Sequence, residues 1–170
     1  MAQLSHCQNQ PISQNWAIAQ LPGIAEEDCT KLRDRQIVTT WQLLQRTKTV
    51  AEKRSLAAEL HIPERLVSKW VALADLARVP GVDCQYCGML LHAGIISVAQ
   101  LTQIPARKLH QQLLRLVVAT LQSPDLCPGV EEVSQWIERS RRLVPLVNCP
   151  THKGMGLVTR KQNFLKHPGY

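Results

Sequence analysis

The chain has 170 residues and a net charge of +7, with 45% apolar and only 4% aromatic residues. Its core must consist mainly of Leu, Val, Ile and Ala, which favours packed helices over a β-sandwich, because strands are enriched in aromatic and β-branched residues. No segment approaches the roughly 18 apolar residues of a membrane-spanning helix, and residues 1–15 have neither the basic start nor the apolar run of a secretory signal. We therefore expect a cytoplasmic, all-α protein with one compact helical domain and no transmembrane segment.

Five helices are predicted in the first unit, which spans residues 13–78 and follows a flexible N-terminus at residues 1–12. Three signals mark helix beginnings: the run of acids that opens at Glu26, Thr39 as an N-cap, and Pro63. Acids complement the positive end of the helix dipole, and hydroxyl side chains and Pro are favoured at helix N-termini. Apolar residues recur at helical spacing between these points. The expected helices cover residues 13–20, a segment opening at Glu26, a short segment carrying Leu43, residues 49–60 and residues 63–77.

The second predicted unit spans residues 79–122 and repeats the first. Asp83 is the predicted N-cap of its first helix and Ser97 that of its short second helix. Pro105 begins a longer helix that runs to the end of the unit. A last helix is expected within residues 123–144.

An internal repeat relates the two units. Residues 21–45 and 79–103 align without a gap, and eight of these 25 positions are identical. The alignment keeps a Pro-Gly turn, in which Pro fixes φ and Gly permits positive φ, and an apolar residue that is expected to pack the turn onto the core. It also keeps a Cys and a Leu at i, i+3 on one helix face. The predicted turn residues are Pro22, Gly23, Ile24, Pro80, Gly81 and Val82.

The positive charge is concentrated at the C-terminal end. Residues 1–138 contain 13 basic and 13 acidic residues, so the seven basic residues of 139–170, a stretch without acids, account for the whole net charge. The first three of them end the last predicted helix, where cations complement the helix dipole. Residues 145–170, with three Pro and three Gly, are predicted to form a flexible, disordered basic tail. The candidate binding cations are Arg139, Arg141, Arg142, Lys153, Arg160, Lys161 and Lys166.

A helix, a Pro-Gly-apolar turn and a second helix, present twice, resemble the helix-hairpin-helix superfamily. The stretches LPGIAEEDCTKLRDRQIVTTWQLL, LAAELHIPERLVSKWVALADLARVPGV and HAGIISVAQL resemble more specifically the DUF4332 family of uncharacterised helical proteins, which is frequent in cyanobacteria. The resemblance covers roughly residues 16–120. It implies two tandem helix-hairpin-helix-like repeats and no particular activity.

The DNA-binding members of the superfamily hold a phosphate on backbone N–H groups at a helix N-terminus. This chain departs from that pattern, because Glu26, Glu27 and Asp28 follow the first turn and Asp83 follows the second. Two like charges about 4 Å apart repel by about 1 kcal/mol in water and by more near a protein surface. The acids therefore disfavour phosphate binding at the two turns.

Six cysteines raise the question of metal or redox chemistry. Cys84 and Cys87 form a CxxC, which suits a redox pair or half of a zinc site, with His92 as the nearest further ligand. A zinc site needs about four ligands, and the sequence has no second CxxC. Since Cys87 aligns with Cys29 of the other unit, the pattern favours a small buried residue. We expect reduced thiols, no metal and no cofactor.

The tryptophans divide into two groups. Trp41, Trp70 and Trp136 lie among apolar neighbours at helical spacing, so we expect them in the core. Trp16 is expected to pack at its edge.

Two functions remain open. The first is a non-enzymatic protein-interaction adaptor whose basic tail docks an acidic partner, since no hydrolase, phosphate-loop or dinucleotide motif occurs. The alternative is a non-specific DNA- or RNA-binding protein of helix-hairpin-helix type, because a flexible cationic segment with aromatics also binds nucleic acid. A metal or redox protein ranks third.

Overall fold

The computed structural model describes residues 13–143, except for the side chains of Leu121 and Pro124. This part of the chain forms eight α-helices and two short 3-10 helices, so the predicted all-α fold class is confirmed. None of these helices is both long enough and apolar enough to cross a membrane. In chain order the α-helices are α1 (Glu26–Asp34), α2 (Thr40–Arg46), α3 (Val50–Leu60), α4 (Glu64–Ala77), α5 (Asp83–His92), α6 (Val98–Leu101), α7 (Ala106–Leu121) and α8 (Val130–Arg141).

Local sequence accounts for several helix beginnings. Thr39 and Thr49 form capping boxes with Gln42 and Glu52, in which each side chain bonds a backbone N–H of the other residue. Ser97 accepts the backbone N–H of the third residue of α6. The predicted N-caps of the two short helices are therefore confirmed.

The segment before the first turn differs from the prediction. Of residues 13–20, only Ile18–Gln20 is helical, as a 3-10 turn. The chain around Trp16 instead pairs with the connection between α1 and α2 and with the first residue of α2. Thr40 N–H donates to the Trp16 carbonyl at 2.8 Å, and Ile18 N–H donates to the Val38 carbonyl at 2.9 Å. We call residues 13–17 the N-terminal strap.

One hydrophobic core runs from Ile18 to Leu143. Helix α4 lies at its centre, because it contacts α2, α3 and α5 and buries apolar side chains along most of its length. Helix α7 packs on α5 and α8, and α8 contacts α6. The core therefore continues across both predicted unit boundaries, at residues 78/79 and 122/123.

The two aligned segments end their first helices in the same way. Ile37 N–H donates to the Leu32 carbonyl at 2.9 Å, and Ile95 N–H donates to the Leu90 carbonyl at 3.0 Å. The residue before each isoleucine has positive φ, as in the Schellman motif that ends many helices. All four of these side chains are buried. That the two segments as wholes are helix-hairpin-helix-like repeats stays a prediction.

Candidate interaction site

The first Pro-Gly turn lies beside a lysine side chain. Gly23 has a φ of 71°, and a Cβ atom added there would lie 3.2 Å from Lys69 Nζ. Pro22 and Ile24 are half-buried, whereas Gly23 is exposed. An ammonium group therefore lies over this turn.

The second Pro-Gly turn is closed by side chains of the chain itself. The Asp83 carboxylate accepts the Gly81 N–H at 3.2 Å, and Arg139 Nη1 donates to the Pro80 carbonyl at 3.0 Å. The prediction that Asp83 is an N-cap is wrong: α5 begins at Asp83 and its N-cap is the buried Val82. The physical reason is that the carboxylate turns back to the backbone of the turn. It takes the N–H that an incoming anion would need.

The three arginines assigned to the basic C-terminal stretch belong to the end of α8. Arg139 is half-buried and bound to the second turn. Arg141 and Arg142 both reach Glu138, at 3.5 and 3.2 Å. Their charge is thus partly neutralised within the helix. The other candidate cations, Lys153, Arg160, Lys161 and Lys166, lie outside the described residues.

The CxxC thiols are held in their protonated form. Burial raises the pKa of Cys84 to about 11, and the Asp83 carboxylate adds to this rise. Burial and the neighbouring Cys84 raise the pKa of Cys87 to about 12. His92 is exposed, and residues 13–143 contain no cluster of three or more His, Cys, Asp or Glu that could hold a metal. Neutral thiols are poor nucleophiles and poor metal ligands.

The prediction for the tryptophans is correct for two and wrong for one. Trp70 and Trp136 are buried in the core, but the side chain of Trp41 is 40% exposed. The reason is that α2 has only seven residues and buries Thr40, Leu43 and Leu44, so that the next position after Thr40 faces away from the core. Trp16 is half-buried at the edge, as expected, and its indole N–H donates to the Ala77 carbonyl at 2.9 Å.

A shallow groove of about 550 Å³ surrounds Trp41. The strap holds the backbone here, because the Asn15 side chain accepts the Trp41 N–H at 3.1 Å. Arg35 and Arg46 both reach Glu59, each at 3.5 Å. We call the lining residues the Trp41 surface: Arg35, Gln36, Ile37, Trp41, Gln42, Gln45 and Arg46.

A second groove, of about 310 Å³, combines cations with an apolar floor. Helices α3, α4 and α5 and the connection between α5 and α6 supply its walls. The most exposed apolar side chain in it is Ile96, at 57%. We call this the basic groove, and its lining residues are Lys53, Arg65, Ser68, Lys69, Val71, Ala72, Asp75, Leu91, Ile96 and Ser97.

Among the described residues, the cations of the basic groove have no acidic partner. Lys53, Arg65 and Lys69 form no ion pair with any carboxylate of residues 13–143, whereas neighbouring Arg54 is paired with Glu64 at 3.2 Å. Sequence reasoning missed this cluster because its members lie apart within residues 1–138, where the 13 basic and 13 acidic residues balance overall. The one available signal was the i, i+4 spacing of Arg65 and Lys69, which places them on one helix face.

Comparison with known proteins gives one match. A family model described as "Domain of unknown function (DUF4332)" matches residues 22–143, from the first Pro-Gly turn to the last buried leucine of the core. No curated protein and no solved structure matches the chain. Because the match covers well over half of the 170 residues, the chain belongs to the DUF4332 family.

Proposed function

We propose that this protein is a non-enzymatic, cytoplasmic interaction module that docks an acidic protein partner, with the C-terminal cations adding electrostatic attachment. The observation that carries the proposal is the exposure of Trp41. Tryptophan is costly to expose to water and is among the residues that contribute most to protein–protein binding energy.

The setting of Trp41 supports a binding role. It is framed by Arg35 and Arg46, and arginine is likewise enriched at the energetic centres of interfaces. The strap fixes the backbone of Trp41 before any partner arrives, so that little conformational entropy is lost on binding.

The charge distribution supports an acidic partner. Residues 139–170 contain seven basic and no acidic residues. Opposite charges on a partner would accelerate its association and favour it over neutral or basic competitors.

One observation favours the alternative, non-specific nucleic-acid binding. The Lys69 ammonium lies over the Gly23 turn, which is the place where the resemblance to helix-hairpin-helix proteins puts a phosphate. Two features oppose it: Asp83 takes the Gly81 N–H at the second turn, and Glu26, Glu27 and Asp28 open α1 beside the first.

The proposal is tested by affinity purification of the full chain from its native cells, with and without nuclease. We expect co-purifying proteins that persist after nuclease and are lost with Trp41→Ala, because truncation of a central interface tryptophan costs about 2 kcal/mol or more, or about 30-fold in affinity. The matched control is Val118→Ala, which shortens another exposed apolar side chain, on α7. Loss of all captured proteins on nuclease treatment contradicts the proposal.

The alternative is tested by mobility shift with mixed DNA and RNA at two salt concentrations, for the full chain and for residues 1–144. The affinity of a protein for nucleic-acid phosphates falls steeply as the salt concentration rises. No shift from either form at low salt removes the alternative.

A further inference from the structure

The basic groove presents two chemistries side by side. Three cations, Lys53, Arg65 and Lys69, line it without a carboxylate partner among residues 13–143. Leu91 and Ile96 line the same groove and contribute apolar surface. A small anion would pair with the cations but would leave the apolar surface exposed to water.

The acid within the groove is already engaged. Asp75 is buried, accepts the Val98 N–H at 2.8 Å and is paired with Arg78 at 2.8 Å. The Asp75 carboxylate is therefore directed into the fold, and the three cations can pair with an external charge.

The size of the groove limits its occupant. About 310 Å³ lies at the lower end of the roughly 300–1,000 Å³ that is usual for ligand sites. This volume accommodates one or two side chains of an occupant.

We infer that the basic groove binds a short acidic peptide segment of a partner protein, with an apolar side chain on Ile96 and Leu91 and flanking carboxylates paired with Lys53, Arg65 and Lys69. The inference rests on the proposed function as an interaction module and specifies which segment of the partner is recognised. Charge complementarity selects an acidic segment, and the apolar floor selects one that carries a leucine-like residue between its acids.

The inference is tested by fluorescence polarisation with the full chain. The probe is a labelled peptide in which two leucines are flanked on each side by three glutamates. Two altered peptides serve as controls: one has glutamines in place of the glutamates, and the other has serines in place of the leucines. A third control probe is a short thymidine oligonucleotide. We expect the first probe to bind at least about tenfold more tightly than the two altered peptides, because each of these loses one of the two chemistries.

Paired variants separate the groove from general attraction by positive charge. Arg65→Glu/Lys69→Glu and Arg107→Glu/Lys108→Glu change the net charge equally, but the second pair lies on α7 outside the groove. We expect the first pair to weaken peptide binding at least about tenfold and the second pair to weaken it less than about twofold. Ile96→Ser is expected to weaken binding more than Val118→Ser, its exposed counterpart on α7.

Three outcomes overturn the inference. Equal losses in the two charge-reversal pairs would indicate non-specific attraction. Tighter, groove-dependent binding of the oligonucleotide would assign the groove to nucleic acid. Absence of peptide binding, while nuclease-resistant partners are still captured through Trp41, would remove the groove inference and leave the interaction module standing. Circular dichroism of each variant verifies that it remains folded.

Discussion

Single residues of the second turn show how backbone conformation and side-chain packing constrain the same position. Gly81 has a φ of 90°, and a Cβ atom added there would lie 2.6 Å from Arg139 Nη1 and 3.3 Å from Trp136 Nε1. Gly94 has the same φ of 90° but no atom within 4 Å of an added Cβ. The two glycines therefore share the same φ but differ in the space around them.

This pair allows strain and close packing to be measured separately. We expect Gly94→Ala to lower the unfolding free energy by about 1 kcal/mol, from backbone strain alone. Gly81→Ala should cost about 1–3 kcal/mol more, because the added methyl group displaces Arg139 from the Pro80 carbonyl and crowds the Trp136 ring. Urea denaturation of both variants measures the difference. Equal losses would mean that the close approach at Gly81 is without energetic consequence.

Thiol protonation gives a second prediction at this scale. Since the pKa of Cys84 is raised from 9.0 to about 11, its thiolate fraction at pH 8 is about 100-fold below that of an ordinary cysteine. We expect iodoacetamide to alkylate Cys84 slowly in the native protein, at a rate that rises up to about pH 11. Peptide mass spectrometry measures this rate.

The raised pKa values of Cys84 and Cys87 also affect stability, because the unfolded chain loses these two thiol protons at a lower pH than the folded protein does. Their contribution to stability is thus complete below pH 9 and is lost as the pH rises towards 11–12. Alkylation of Cys84 at pH 7 as fast as that of an ordinary cysteine would contradict the raised pKa.

At the scale of elements, the buried Asp75 carboxylate joins the end of α4 to the beginning of α6. Asp75 and Arg78 are 5% and 3% exposed. Asp75 binds Arg78 Nε and the Val98 N–H, each at 2.8 Å. The corresponding helix of the first unit, α2, is held differently, by Asn15 of the N-terminal strap. Each short helix is therefore anchored by a polar side chain distant in the chain.

Removal of the buried carboxylate tests this anchor. We expect Asp75→Ala to lower the unfolding free energy by about 3 kcal/mol, because it removes one member of a buried ion pair. The Val98 N–H also loses its acceptor. Asp34→Ala is the matched control, since Asp34 is exposed and should change stability by less than about 0.5 kcal/mol. Thermal and urea unfolding measure both, and similar small losses would show that the pair is not an anchor.

For the whole molecule, the continuity of the core decides whether its parts unfold together or separately. Trp70 on α4 and Trp136 on α8 belong to one hydrophobic cluster, although they lie in different predicted units. Since the buried surface is shared, neither unit keeps its core when the other unfolds.

We therefore expect one cooperative unfolding transition. Helix content by circular dichroism and tryptophan fluorescence should change at the same urea concentration, as in two-state unfolding. Trp136→Phe leaves only the tryptophans of residues 13–78, which are Trp16, Trp41 and Trp70, so its fluorescence follows that part of the molecule while circular dichroism follows all the helices. In Trp136→Phe, a fluorescence midpoint that differs from the circular dichroism midpoint would mean that residues 13–78 unfold independently of the helices that follow them.

The sequence by itself determined the helical class, the N-caps at Thr39 and Ser97, the turn glycines and the buried Trp70 and Trp136. These features depend on φ preferences, on hydrogen bonds within about four residues and on apolar spacing, all of which are local.

Tertiary structure alone decided the rest. Trp41 is exposed because no element within residues 13–143 covers its side of α2. Arg139 binds a carbonyl 59 residues away, and Lys53 joins Arg65 and Lys69 only through the packing of α3 on α4. The physical reason is that burial and charge clustering depend on which helix faces pack against each other. Local propensity contains no information about that packing.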